Sequence, residues 1–311
     1  MKPSQWKFFF PADFGEWLSI LGIGLGGGIL FYALSLWSDW SLLFSNSSQA
    51  LVGREVGDAM SLVQSPVIPR IGWIVYLFGR LSLSESAALS TIFWALVVLG
   101  SLLILGLYPR PVAFLAWLLH LACAESSGLL SYGADNMVTI GLFYLMIAPR
   151  INPWLLGRKL HRVSRDIAPL SGFHRRIVQL HLCLIYFFGG LAKCLGAGWW
   201  NGSNLWRSLT IPPFDVIPAQ WIILFGFLLP SLGIAICLLE ITYPFLIWWR
   251  PTRKFVLCSI CAMHLGIGLM MGMYLFGGIM IVLNLAAFWP CELPAEIESI
   301  PPEAAPLPSP S

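Results

Sequence analysis

Charge is what this sequence has least of. Asp, Glu, Lys and Arg together make up 11% of its 311 residues, where a soluble domain carries about 25%. Hydrophobic residues make up 58%, and the mean hydropathy is +0.78. That balance excludes an ordinary soluble domain and points to an integral membrane protein whose main partner is the lipid bilayer. A net charge of +3 is too small a basic surplus to recruit nucleic acid. Zinc-type spacing is missing too. There is no paired C-x-x-C and no His/Cys constellation, so no metal is expected. The seven cysteines, at positions 123, 183, 194, 237, 258, 261 and 291, lie almost entirely in apolar stretches. An odd, apolar set argues against a secreted disulfide framework. Cys258 and Cys261 form one C-x-x-C in mid-helix, where i and i+3 share a face, so packing is a better reading than redox chemistry. A cleavable leader is not evident either. Pro11, Asp13 and Glu16 interrupt the N-terminal stretch, and the first long apolar run reads as a retained helix.

What is present is a series of apolar runs. A spanning helix takes about 20 mostly apolar residues. Eight stretches reach or approach that length: 17–37, 87–107, 112–130, 137–148, 177–195, 221–249, 255–271 and 275–289. The first is rich in glycine (Gly22, Gly24, Gly26, Gly27, Gly28), which suits close packing against a neighbouring helix. Residues 38–69 read as a polar loop, 71–78 as a short interfacial or re-entrant piece, and 196–217 as a loop rich in Gly, Trp and Pro. Pro230 and Glu240 fall inside the sixth run. The expected fold is an all-α, polytopic transmembrane helical bundle of about eight helices over residues 1–290. A disordered, acidic, proline-rich tail is expected at 291–311.

Basic residues orient the bundle, because Lys and Arg favour the cytoplasmic side of short loops. With eight helices and a cytoplasmic N-terminus, 13 of the 18 fall inside: Lys2, Lys7, Arg110, Arg150, Arg158, Lys159, Arg162, Arg165, Arg175, Arg176, Arg250, Arg253 and Lys254. The outer set is Arg54, Arg70, Arg80, Lys193 and Arg207. The expected placement is multi-pass in the cell membrane.

This orientation sorts the ionisable groups by depth. Lys193 closes the fifth run, Glu125 comes late in the third and Asp135 opens the fourth, so all three are expected near the outer leaflet, level with Trp199, Trp200 and Trp206. His181, Glu240 and His264 form a deeper set, and His120 sits midway along the third run. Each residue has two readings. Burial of an amine in an apolar pocket disfavours its charged form and fits Lys193 for use as a base; alternatively its ammonium snorkels to the interface. Glu125 and Asp135 serve as counter-ions or proton acceptors for it, or stand at helix ends, with Asp135 capping the fourth helix. His264 and His120 bind a polar ligand group or are hydrogen-bonded to a neighbouring helix. Glu240 reads best as an anchor paired with Arg250 or Arg253. The tryptophans line a lipophilic pocket or form the interfacial belt.

The stretch YFFGGLAKCLGAGWWNGSNLW, Tyr186 to Trp206, resembles the signature of the HTTM (horizontally transferred transmembrane) domain family, the membrane part of vitamin K-dependent gamma-carboxylase. GADNMVTIGLFYLMIAPR, Gly133 to Arg150, and the segment from Glu240 to Pro290, with R-K before its helix and H-L-G-I within it, resemble the same domain. The resemblance covers nearly the whole chain. It implies that Lys193, in Gly190-Leu191-Ala192-Lys193, is the base that deprotonates vitamin K hydroquinone or another reduced quinone on the extracytoplasmic side. In the carboxylase, oxygen then yields a strong base that removes a glutamate gamma proton, and carbon dioxide adds. Ala192 stands where the carboxylase has a second lysine, and Asp135-Asn136 where it has Asn-His. The large lumenal domain has no counterpart in this sequence, so a different substrate is expected. The sporulation-delaying protein B group is similar in length. It implies instead a non-enzymatic factor for maturation, export or immunity of a small secreted peptide. The expected site is Lys193 as catalytic base, with Glu125, Asp135, Asn136, Trp199, Trp200 and His264 around a lipophilic substrate.

Overall fold

The computed structural model describes residues 8–11, 13, 15–47, 50–127, 131–148 and 169–289. Among them there is no strand. The chain runs through α1 (Glu16–Ser35), α2 (Trp40–Phe44), α3 (Arg54–Gln64), α4 (Ile71–Arg80), α5 (Glu85–Leu105), α6 (Pro109–Ser126) and α7 (Gly133–Ile147). It continues through α8 (Pro169–Cys194), α9 (Ala197–Trp200), α10 (Ser203–Thr210), α11 (Ala219–Phe225), α12 (Leu229–Leu246), α13 (Arg250–Met271) and α14 (Tyr274–Phe288). Five helical stretches are long and apolar enough to cross a membrane: Glu16–Ser35, Glu85–Leu105, Leu170–Cys194, Ala219–Leu246 and Arg250–Met271. The all-α polytopic bundle is as expected. The tail at 291–311 and the basic segment 149–168 lie outside the described residues.

The bundle wears its apolar residues outside as well as inside. Phe31, Leu34, Trp94, Val98, Phe188, Phe245, Leu265 and Leu269 are all exposed. Asp135, His120, Glu240, His264 and Asn284 are buried. A surface of bare Leu and Phe is stable against lipid tails, where water would make it a docking patch. Helix α1 lies at the centre, packed against α5, α7 and α14. Its glycines allow this. A Cβ at Gly26 would stand 2.7 Å from the Gly100 carbonyl oxygen of α5, and a Cβ at Gly100 would stand 2.9 Å from that of Gly26. Small residues facing each other let two backbones touch, which is how helices gain contact where lipid removes the usual apolar driving force.

Helix ends follow their local chemistry. Ser84 caps α5 by accepting from the Ala87 N–H at 3.2 Å, and Gly106 closes the helix in the left-handed region. Gly272, at φ 70°, divides what hydropathy alone could read as one run into α13 and α14. Three expectations need correction. Residues 38–69 contain α2 and α3, and 196–217 contain α9 and α10. Helix α3 turns Arg54, Gly57 and Ser61 inward, so its buried stripe is polar and carries no hydropathy signal. The sixth run breaks at a 3-10 turn, Gly226–Leu228, which places Pro230 in the first turn of α12; the proline inside that helix is Pro244.

Three arginines of the expected inner set lie at one end. The Arg110 guanidinium donates to the Ala148 carbonyl. Arg175 donates to Ala287 and Trp289 carbonyls at 3.0 and 2.7 Å and pairs with Asp13 at 3.1 Å. Arg253 donates to the carbonyls of Ile247 and Trp248, each at 3.2 Å. Cations on the final carbonyls of α7, α12 and α14 satisfy acceptors that those helices leave open.

Candidate functional site

Helix α8 crosses from the arginine end to Lys193, which is 18 residues after Arg175 and so about 27 Å away along the axis. The chain stays close to α12 over the upper half of this path. A Cβ at Gly190 would lie 2.7 Å from the Ile241 nitrogen, and one at Gly189 would lie 3.4 Å from a Glu240 carboxylate oxygen. Gly189-Gly190 therefore brings the α12 backbone against α8, and Glu240 comes with it. Lys193 Nζ donates to Glu240 Oε2 at 2.6 Å. The glutamate side chain is 7% exposed and the lysine 26%. The ammonium also stands 5.4 Å from the centre of the Trp199 ring, whose helix α9 folds back over the end of α8. The Glu240 expectation is thus overturned. Its partner is Lys193, while Arg253 is spent on backbone carbonyls.

Below this pair lies a connected polar group. Asn284 of α14 donates from Nδ2 to the Met280 carbonyl at 2.8 Å and to the Tyr186 hydroxyl at 2.6 Å. Its Oδ1 accepts from the Tyr243 hydroxyl at 2.7 Å. The Tyr186 hydroxyl also meets His264 Nε2 at 2.8 Å. Four helices, α8, α12, α13 and α14, each supply one member, and all four side chains are buried. Lys193 and Tyr186 share α8, and Glu240 and Tyr243 share α12, so pair and network lie along the same two helices. His264 Nδ1 is buried with no hydrogen-bond partner among the described residues. In an apolar interior such a group costs about 1–3 kcal/mol.

The other expected site residues lie elsewhere. Glu125 ends α6, where its carbonyl accepts from the Ser61 hydroxyl at 2.8 Å. Asp135 accepts from the Tyr132 N–H at 2.9 Å, the capping role, and lies 3.6 Å from His120 Nε2. Neither carboxylate pairs with Lys193. Asn136 is exposed on α7. Trp200 is 45% exposed and donates to the Cys194 carbonyl at 2.8 Å. His181 meets the Tyr144 hydroxyl at 2.7 Å, outside the Lys193 group. Tyr186, Tyr243 and Asn284 had no assigned role in the sequence. Asn284 carried a usable signal, as the one amide in the apolar run GGIMIVLNLAAFW.

A second feature lies on another face of α12 and α13. A cavity of about 350 Å³ lies between α10, α12 and α13, bounded by Leu209, Ile236, Leu239, Met263 and Ile267, with Ser208 and Ser259 as its polar side chains. Leu239 and Met263 are the sequence neighbours of Glu240 and His264. The site offers an amine and a carboxylate within one hydrogen bond and a lone imidazole nitrogen, while the cavity is lined by other residues of α12 and α13. No protein-family model, curated protein or solved structure matches the chain.

Proposed function

We propose that the chain is a membrane enzyme that removes a proton from a weakly acidic hydroxyl of a lipophilic molecule, with Lys193 as base. The observation that carries this is the Lys193–Glu240 pair: 2.6 Å long, supplied by two helices, buried on the carboxylate side and open on the amine side. A lysine that merely snorkels needs no such partner. In an apolar interior an ammonium–carboxylate pair and an amine–carboxylic acid pair have the same total charge. The second avoids the desolvation of two ions. Glu240 can therefore hold the proton that Lys193 gives up, leaving Nζ with a lone pair for the incoming hydroxyl. Proton transfer to a positioned base of this kind contributes about 10²–10⁴ in rate.

The family resemblance names a reduced quinone as the lipophilic molecule, and the residues present fit one. An unpaired buried imidazole nitrogen can meet a ring oxygen, the Trp199 ring closes over Lys193, and the apolar cavity suits a hydrocarbon tail. A reduced quinone supplies an acidic hydroxyl and, once ionised, an electron-rich ring that reacts with oxygen. Lys193 takes and holds the proton, Glu240 receives or returns it, and the α8–α12 contact at Gly190 fixes the two. With the arginine-rich end cytoplasmic, as charge counting has it, this site faces the extracytoplasmic side. The test is turnover of reduced 2-methyl-1,4-naphthoquinone by purified protein in proteoliposomes under oxygen. Wild type should turn it over and Lys193→Ala should lose at least about 100-fold. No wild-type turnover, or full turnover by the variant, refutes the reading.

One observation favours a second reading. A cavity whose lining is apolar but for two serines suits a hydrophobic peptide segment, as a non-enzymatic maturation, export or immunity factor for a small secreted peptide would need. Lys193→Met retaining full biological activity, and co-purification of a small secreted precursor, would select it.

A further inference from the structure

The hydrogen bonds around Asn284 have a direction, and that direction reaches His264. The Met280 carbonyl can only accept, so the group 2.8 Å from it must be the Asn284 amide nitrogen. The amide oxygen then faces Tyr243, whose hydroxyl donates to it at 2.7 Å. The amide's second N–H points to the Tyr186 oxygen at 2.6 Å. Tyr186 thus accepts from Asn284 and has its own hydrogen to place. Its remaining partner is His264 Nε2 at 2.8 Å. The arrangement that satisfies every group has Nε2 accepting from Tyr186, which puts the imidazole hydrogen on Nδ1. Nδ1–H is then a buried donor with no partner among the described residues.

We infer that His264 is a ligand-binding residue whose Nδ1–H donates to an acceptor oxygen, a carbonyl or ring hydroxyl of a lipophilic ring, and that Tyr186, Asn284 and Tyr243 are positioning residues that lock it in that tautomer. This rests on the proposed quinone-binding site and adds the group that orients the ring relative to Lys193. It also separates His264 from His120. His120 Nε2 likewise lacks a hydrogen bond, but the Asp135 carboxylate lies 3.6 Å from it and Thr139 Oγ1 lies 3.2 Å from its Nδ1. A small adjustment satisfies His120 from within the protein.

Side-chain ¹⁵N NMR of histidine-labelled full-length protein in lipid nanodiscs tests this, with the His264 signals assigned by their loss in His264→Phe. The free protein should show Nδ1 protonated and Nε2 as acceptor. Adding 2-methyl-1,4-naphthoquinone should shift Nδ1 and its proton while leaving the tautomer unchanged. Its Kd should rise about tenfold in His264→Phe, as expected for one lost hydrogen bond to a buried donor. Asn284→Asp supplies an acceptor where Tyr186 now meets a donor, so it should turn the Tyr186 hydroxyl round and move the hydrogen to Nε2. Tyr186→Phe should remove the lock and give a mixture of tautomers. A wild-type Nε2–H tautomer overturns the inference, as does quinone binding that leaves Nδ1 unmoved; both leave the role of Lys193 standing. If the quinone does not bind at all, this inference and the quinone reading fall together.

Discussion

Two polar clusters sit at the end of the bundle away from Arg175, and they are built on opposite plans. In the first, Arg54 of α3 pairs with Asp58 at 3.1 Å and Glu85 at 3.0 Å. The other Asp58 carboxylate oxygen accepts from the Ser126 hydroxyl at 2.6 Å, whose oxygen accepts in turn from the Ile71 N–H at 2.9 Å. Arg70 donates to the Asp58 carbonyl at 3.1 Å. Arg54, Asp58 and Ser126 each have two partners, and the cluster ties α3, α4, α5 and α6 together. In the second, Lys193 has one carboxylate and an aromatic face, part of its surface is open, and a buried imidazole nitrogen nearby is unpaired. A saturated cluster holds helices in place and has nothing left to bind with. An unsaturated one keeps donors and acceptors for something else. That difference, more than burial or charge, separates the structural cluster from the candidate site.

Substitutions can break this contrast, and the largest effect should fall on chemistry. Lys193→Met should lower reduced-quinone turnover at least about 100-fold. It should cost only about 1–3 kcal/mol in thermal unfolding, because the abandoned Glu240 can take a proton. Arg54→Met should do the reverse. It strands two carboxylates, so unfolding monitored by circular dichroism in detergent should show a loss of about 3–5 kcal/mol, while the affinity for quinone stays unchanged. Gly190→Val tests the contact beneath the site. Its branched side chain meets the Ile241 nitrogen and the Glu240 Cβ, so it should push α12 from α8 and lower both stability, by about 1–3 kcal/mol, and turnover. The smallest effect on turnover belongs to Asp135→Ala, which removes a helix-end hydrogen bond and the carboxylate beside buried His120, together about 1–3 kcal/mol of stability. It should leave turnover intact, and a large loss there would return Asp135 to the site.

The fold was readable because lipid imposes one rule: long apolar runs become helices, and all eight such runs are helical, the sixth in two pieces. Helix α3 was not, because it buries Arg54 and Ser61 while exposing Val56, Leu62 and Val63, the reverse of the soluble amphipathic pattern. In the site, Lys193 stood out as a lone cation in an apolar stretch. Its partner did not. Glu240 is 47 residues away, and the depth estimate paired Lys193 with Glu125 and Asp135, which helix rotation turns to other neighbours. What selects Glu240 is the close α8–α12 approach at Gly189-Gly190, and a glycine pair in a sequence does not say which helix it admits. The Asn284 network was hidden for the same reason, since its members lie on four helices.

The most direct test of the contrast is whether a ligand shields Lys193. The chain has five lysines, at positions 2, 7, 159, 193 and 254, so four serve as internal controls. Brief reductive methylation of the protein in nanodiscs, read by mass spectrometry, measures how readily each amine reacts, since only an amine with a free lone pair does so. Lys193 should be methylated at pH 7, and 2-methyl-1,4-naphthoquinone should suppress that reaction while leaving the other four unchanged. A Lys193 that stays unmodified throughout, or one methylated equally with and without quinone, would mean that the pair with Glu240 is a clamp of the same kind as Arg54.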